Sequence, residues 1–75
     1  MATAEEYLSK ADIAFKKADY DSAILYYTKA IGRDLKYAKA YLWRGIAYTR
    51  KSQFLEAKQD FENVIELEPK GNEGA

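Results

Sequence analysis

Seventy-five residues make one small domain, and a chain of this size buries only about 60% of the surface that its unfolded form exposes. Twelve basic and twelve acidic residues cancel, which argues against a general nucleic-acid or membrane binder with its strong positive excess. Cysteine and histidine are both absent, which removes disulfides, thiolate zinc sites, thiol nucleophiles, the commonest general base and the commonest metal ligand. No apolar run approaches the roughly 18 residues of a membrane span, and no signal-peptide core opens the chain. The expectation is a cytoplasmic chain without cofactor or metal.

Four helices are predicted in chain order. Thr3 and Glu6 form a T-x-x-E capping box at the start of the first. Tyr7, Ala11, Ala14 and Phe15 then recur at spacings of three and four, as one apolar stripe. Asp19 and Asp21 stand where a second helix begins, and either can cap it. Its apolar face is Ala23, Ile24, Tyr27, Ala30 and Ile31. The third helix runs from about Tyr37 to Lys51, with Tyr41, Gly45 and Tyr48 as its packing stripe. Ser52 or Gln53 begins the next turn. The fourth helix carries Phe54, Ala57, Phe61, Val64 and Ile65, and Pro69 ends it. Residues 71–75 have too little apolar surface to fold and read as a disordered tail.

The helices repeat. A shift of 34 residues places Ala4 on Ala38, Tyr7 on Tyr41, Leu8 on Leu42, Lys17 on Lys51, Ala23 on Ala57 and Ile31 on Ile65. Conservative matches lie between them: Lys10 with Arg44, Ala11 with Gly45, Tyr20 with Phe54, Tyr27 with Phe61 and Ala30 with Val64. The small members let helix backbones approach, and the aromatic members fill the space between neighbours. Aromatics at helical spacing read as core rather than as a cofactor box.

This period, with large aromatics at the fourth, seventeenth and twenty-fourth positions and small residues at the eighth and twentieth, resembles the tetratricopeptide repeat (TPR) family. The resemblance covers residues 4–71, as repeats of about 4–37 and 38–71 within a domain of residues 1–70. Leu35 departs from the family's proline, which Pro69 meets; Lys10 and Arg44 depart from its usual leucine; Val64 is slightly large for its small position. The resemblance implies an all-α fold of two stacked helix-turn-helix units, four antiparallel helices that start a right-handed solenoid. It implies that the first helix of each pair lines a concave groove holding an extended peptide. The stretch from Lys39 to Gly45 is similar to the last repeat of co-chaperone domains that clamp chaperone C-terminal carboxylates. The match is partial. Lys39 is retained, Trp43 replaces a basic residue with Arg44 one step further round the helix, Leu8 replaces a lysine, and Asp12 replaces an asparagine and would repel a carboxylate.

By helix geometry the groove positions are Glu5, Leu8, Ser9, Asp12, Phe15 and Lys16, with Lys39, Leu42, Trp43, Ile46, Thr49 and Arg50 from the second repeat. The residues expected to bind peptide are Lys16, Lys39, Leu42, Trp43, Arg44, Ile46 and Arg50, an apolar strip with a basic rim. Trp43 reads equally well as a binding hot spot and as simple packing on the preceding helix. Charge is uneven: up to Phe54 there are ten Lys/Arg against six Asp/Glu, and from Leu55 onward two against six. Solvated helix faces explain this, and so does a basic groove on the first three helices.

Three functions follow. The leading one is a non-catalytic module that binds a peptide segment, in a narrower version a chaperone-linked adaptor taking a chaperone C-terminal tail. The second is a self-associating repeat scaffold, because a repeat leaves one face uncovered and nothing after Pro69 is apolar enough to cover Phe61, Val64 and Ile65; the same open face is expected of a piece of a longer repeat array. Against an idealised scaffold stands Gly32 within a helix, which costs roughly 1 kcal/mol relative to alanine. The third is weak RNA binding through Lys16, Lys17, Lys39, Arg44, Arg50 and Lys51 with Trp43 and Tyr48, disfavoured by the neutral total charge. No catalytic residue is expected: Asp19 and Asp21 are explained by helix capping, and no glycine-rich phosphate loop follows a strand.

Overall fold

A computed structural model describes residues 2–68. Four α-helices occur in it: α1 (Ala4–Lys16), α2 (Tyr20–Arg33), α3 (Ala38–Arg50) and α4 (Phe54–Leu67). The second pair starts 34 residues after the first at both helices. The stop at Pro69 and the tail at 71–75 lie outside the described residues. At the start of α1 the Glu6 amide donates to Thr3 Oγ1 at 3.1 Å, and the Thr3 amide donates back to Glu6 Oε1 at 2.8 Å. Two orphan donors of that turn are thereby satisfied. Asp19 caps α2, accepting from the Ser22 amide at 3.3 Å. Asp21, the alternative, lies one residue inside the helix and pairs with Lys51 instead. Tyr37 and Gln53 take the N-cap positions of α3 and α4 without a side-chain hydrogen bond.

Both intra-repeat turns use the same backbone device. The Ala18 amide donates to Phe15 O and the Asp19 amide to Ala14 O, each at 2.9 Å; Ser52 and Gln53 do the same to Thr49 O and Tyr48 O. This double closure leaves the first residue of each pair left-handed, with φ of 60° at Ala18 and 61° at Ser52. Neither is glycine, so each turn holds a side chain in a region that L-residues disfavour. With only residues 17–19 or 51–53 between them, the helices of a pair must lie antiparallel.

Packing runs α1 on α2, α2 on α3 and α3 on α4. The main core is Leu8, Ala11, Ala14, Ala23, Tyr27, Ala30, Ile31 and Ala40, with Tyr7, Phe15, Tyr26, Tyr37 and Tyr41 packed around it. It therefore sits in the first repeat and is closed by the first turn of α3. The second pair has a close contact of its own. A Cβ on Gly45 would lie 2.7 Å from Cε1 of Phe61, so the ring seats directly on the α3 backbone. The expected stripe of α4 is only partly buried. Ala57 is in the core, Phe61 and Val64 are half-buried, and Ile65 is 55% exposed although its repeat partner Ile31 is 7% exposed. The difference is the covering helix: α3 lies on α2, and no described segment lies likewise on α4. Phe54 does not fill space between neighbours as expected, being 63% exposed. Its counterpart Tyr20 packs edge-on against Phe15 at 5.3 Å, and the residue matching Phe15 in the second repeat is Thr49, which offers no ring.

Polar ties lock the pairs. Tyr27 is wholly buried, and its hydroxyl donates to Asp12 Oδ1 at 2.6 Å. Burial, then the hydrogen bond to Asp12 and its negative charge, push the Tyr27 hydroxyl well above the ordinary tyrosine range. In the second repeat the same two positions are Phe61 and Ile46, and the tie moves elsewhere. Arg44 grips Asp60 through Nε to Oδ2 at 2.9 Å and Nη2 to Oδ1 at 2.7 Å. Its remaining nitrogen Nη1 donates to Thr28 Oγ1 on α2 at 3.1 Å, and its guanidinium lies 5.6 Å and 5.8 Å from the Tyr41 and Tyr48 rings. Asp60 is 2% exposed. The corresponding pair in the first repeat is Lys10 over the Tyr26 ring at 5.8 Å, a weaker cation–π contact at the surface.

Two outcomes follow from these ties. Arg44→Ala strands the Asp60 carboxylate in the core and is expected to cost about 3 kcal/mol in urea denaturation. Replacing both partners by apolar residues (Arg44→Met with Asp60→Leu) should recover most of that loss, whereas equal destabilisation by the double variant would contradict the pairing. The Tyr27 hydroxyl titrates higher folded than its ordinary 10.0, so its contribution is complete below that pH. Above it the unfolded chain releases the proton first, and stability falls as pH rises. Melts taken across this alkaline range should show a steeper decline for the parent than for Tyr27→Phe.

Candidate peptide-binding groove

The inner faces of α1 and α3 meet over Phe15. Trp43 stands edge-on to the Phe15 ring at 5.6 Å and 79°, and the Arg50 guanidinium lies 5.8 Å from the same ring. Around them opens a cleft of about 530 Å³, lined by Asp12, Phe15 and Lys16 from α1, Tyr27 from α2, and Lys39 and Trp43 from α3. Helix period explains the grouping: Asp12, Phe15 and Lys16 are three and four apart, as are Lys39 and Trp43. The cleft combines an aromatic wall, two lysines free of ion pairs within the described residues, and one carboxylate already accepting a hydrogen bond.

The two readings of Trp43 prove compatible. It packs on α1 through Phe15 and still leaves 37% of its surface open. Lys16, Lys39 and Trp43 come together as one lining, with Arg50 adjoining through Phe15. Leu42 is exposed and Ile46 half-buried, and neither lines the cleft. Arg44 and Leu8 differ from expectation as well. Arg44 is no groove cation, because Asp60 and Thr28 take its three donor nitrogens. Leu8 belongs to the main core rather than to a groove surface. Of the basic residues that suggested RNA contact, Lys51 is also engaged, by Asp21.

Sequence reasoning missed Asp60 and the second role of Asp12. Asp60 interrupts no hydrophobic stripe and reads as an exposed helix residue until Arg44 is placed opposite it. Asp12 looked only like a charge in the groove, yet it is the acceptor that lets a buried tyrosine keep its hydroxyl satisfied. Tyr37 lies where burial and the charges of Glu5, Asp12 and Asp34 all raise its hydroxyl. Acidic groups thus lie along α1 at Glu5 and Asp12, with Lys16 one turn beyond Asp12.

Among the described residues no three His, Cys, Asp or Glu side chains converge as metal ligands would, and no helix is long and apolar enough to cross a membrane. Comparison with known proteins gives a consistent picture. The tetratricopeptide repeat pattern matches residues 4–37 and again 38–70. Hsp70-Hsp90 organizing protein 1 of Glycine max is 39% identical over 71 residues, 95% of this chain and 12% of that protein. The heat shock protein sti1 homolog of Schizosaccharomyces pombe is 38% identical over 66 residues, 88% of this chain and 11% of that protein. The RNA polymerase-associated protein CTR9 of Caenorhabditis elegans is 41% identical over 64 residues, 83% of this chain and 6% of that protein. The chain thus spans about an eighth or less of these relatives. No solved structure matches it. Two successive matches that tile nearly all of the described helices, at the period of the helix pairs themselves, place this chain in the tetratricopeptide repeat family, a protein-interaction module.

Proposed function

We propose that the chain binds an extended, acidic peptide segment along the inner faces of α1 and α3, as a non-catalytic adaptor for a chaperone tail. The observation that carries this is the Phe15–Trp43 wall with Lys16 and Lys39 in the same cleft. An aromatic surface that stays partly open gives contact area at little entropic cost, and lysine ammonium groups beside it select for anions. Asp12 disfavours a carboxylate next to itself, so the peptide's negative groups face Lys16, Lys39 and Arg50. The likeness to two Hsp70-Hsp90 organizing or Sti1-type proteins supports a chaperone as the source of the peptide. Arg44 takes no part in recognition, in keeping with its hydrogen bonds to Asp60 and Thr28.

The test is an NMR titration of the labelled chain with a short acidic peptide ending in a free carboxylate, beside its amidated twin. Signals of Trp43, Lys16, Lys39 and Arg50 are expected to move, and Lys39→Glu should weaken binding about tenfold, the loss typical of one close charge contact. The amidated twin should bind more weakly. A folded spectrum that stays still with both peptides would overturn the proposal.

A further inference from the structure

The 34-residue offset gives a template for what covers α4. Within the chain, α3 seats on α2 through one stripe: Ala40, Arg44, Ala47 and Lys51, spaced four, three and four apart. Ala40 joins the first repeat's core, Arg44 donates to Thr28, Lys51 pairs with Asp21, and Ala47 lies between them, fully buried. Shifted back by one repeat, the stripe becomes Glu6, Lys10, Ile13 and Lys17 on α1, whose outer side no described helix covers. Shifted forward, the receiving residues Asp21, Thr28 and Ile31 become Leu55, Glu62 and Ile65 on α4, so the ion pair that Lys51 makes with Asp21 has no counterpart between Lys17 and Leu55.

We propose that copies of this chain stack head to tail, the α1 stripe of one on the α4 face of the next, in the register by which α3 seats on α2. In that register Lys10 of the incoming copy falls where Arg44 meets Thr28, and the residue it meets is Glu62. A neutral hydrogen bond inside the chain becomes an ion pair between chains. Exposed aliphatic side chains stand at both ends of the contact, Ile13 on α1 and Ile65 on α4. The broader field agrees. The α1 stripe carries Lys10 and Lys17 against Glu6, and α4 carries the exposed acids Glu56, Glu62 and Glu66 against Lys58, so the contact joins opposite signs. A contact of α4 with α4 joins like signs, which disfavours a closed two-fold dimer. Glu6, in the place of Ala40, is held by the Thr3 amide and leans on its own helix cap. Such a contact does not close on itself, so it builds open stacks rather than a ring of fixed size.

Sedimentation equilibrium of the purified chain over a wide concentration series tests this. The weight-average mass is expected to keep rising beyond that of two chains and to fall back as salt is added. Lys10→Glu and Glu62→Lys should each weaken the association about tenfold, and the two together in one chain should restore it. Both side chains are exposed, and unchanged helical circular dichroism of each variant would show that folding is intact. Ile65→Lys gives an independent variant, expected to leave a folded monomer. A mass that stays at one chain throughout would overturn the proposal, as would a plateau at two chains or charge swaps without effect.

Discussion

Arg44 is the point at which three of the four helices meet. It leaves α3, closes a two-pronged ion pair with Asp60 of α4, and spends its last nitrogen on Thr28 of α2. A side chain so placed fixes both the spacing within the second pair and the seating of that pair on the first. The constraint is severe because Asp60 has lost its water: a buried carboxylate is tolerable only with its counter-charge and hydrogen bonds in place. Gly45, next in sequence, lets the Phe61 ring approach the α3 backbone and sets Asp60 within reach of Arg44. Arginine suits the position better than lysine would, since its planar fork matches a carboxylate at two atoms and leaves donors free.

The two repeats solve the same geometric problem with different chemistry. In the first, a buried tyrosine reaches across to Asp12 and a large apolar core does most of the holding. In the second, phenylalanine and isoleucine occupy those two positions, and an ion pair one residue from the first and two from the second takes over. The consequence is directional. Apolar burial is concentrated in α1, α2 and the first turn of α3, and it thins toward α4, where Phe54, Leu55 and Ile65 face outward. The groove inherits rigidity from that arrangement. Phe15 packs against the main core on α1, and Trp43 follows Ala40 by one turn, where α3 joins that core, so the aromatic wall is preformed.

Much of this was legible in the sequence, for a physical reason. A repeat states each packing position twice, and the small-large alternation of Ala11 and Gly45 or Tyr27 and Phe61 is dictated by how close two helix backbones may come. Thr3 and Glu6 marked the first helix start because capping is a local hydrogen-bond problem. Lys16, Lys39 and Trp43 shared a face because helix period alone decides it. What escaped notice depended on contacts across the hairpin. Nothing local distinguishes Asp60 from any exposed acid, and Arg44 differs from Arg50 only in what stands opposite. Leu8 lies on a face that borders the groove, but the main core takes it, and that tertiary burial is something no window of sequence reports. Phe54 matched Tyr20 in position, but its partner across the turn had become Thr49.

The molecule is asymmetric, firm where α3 closes the first pair and open at α4. Amide hydrogen exchange resolved by residue, on a sample dilute enough to hold single chains, tests this asymmetry most directly. The slowest amides are expected in the Ala11–Phe15 and Ala23–Ile31 stretches, with Phe61–Leu67 opening at distinctly lower free energy. Exchange from the last turns of α4 as slow as that of α2 would contradict the account, because it would require a cover that the described residues do not supply.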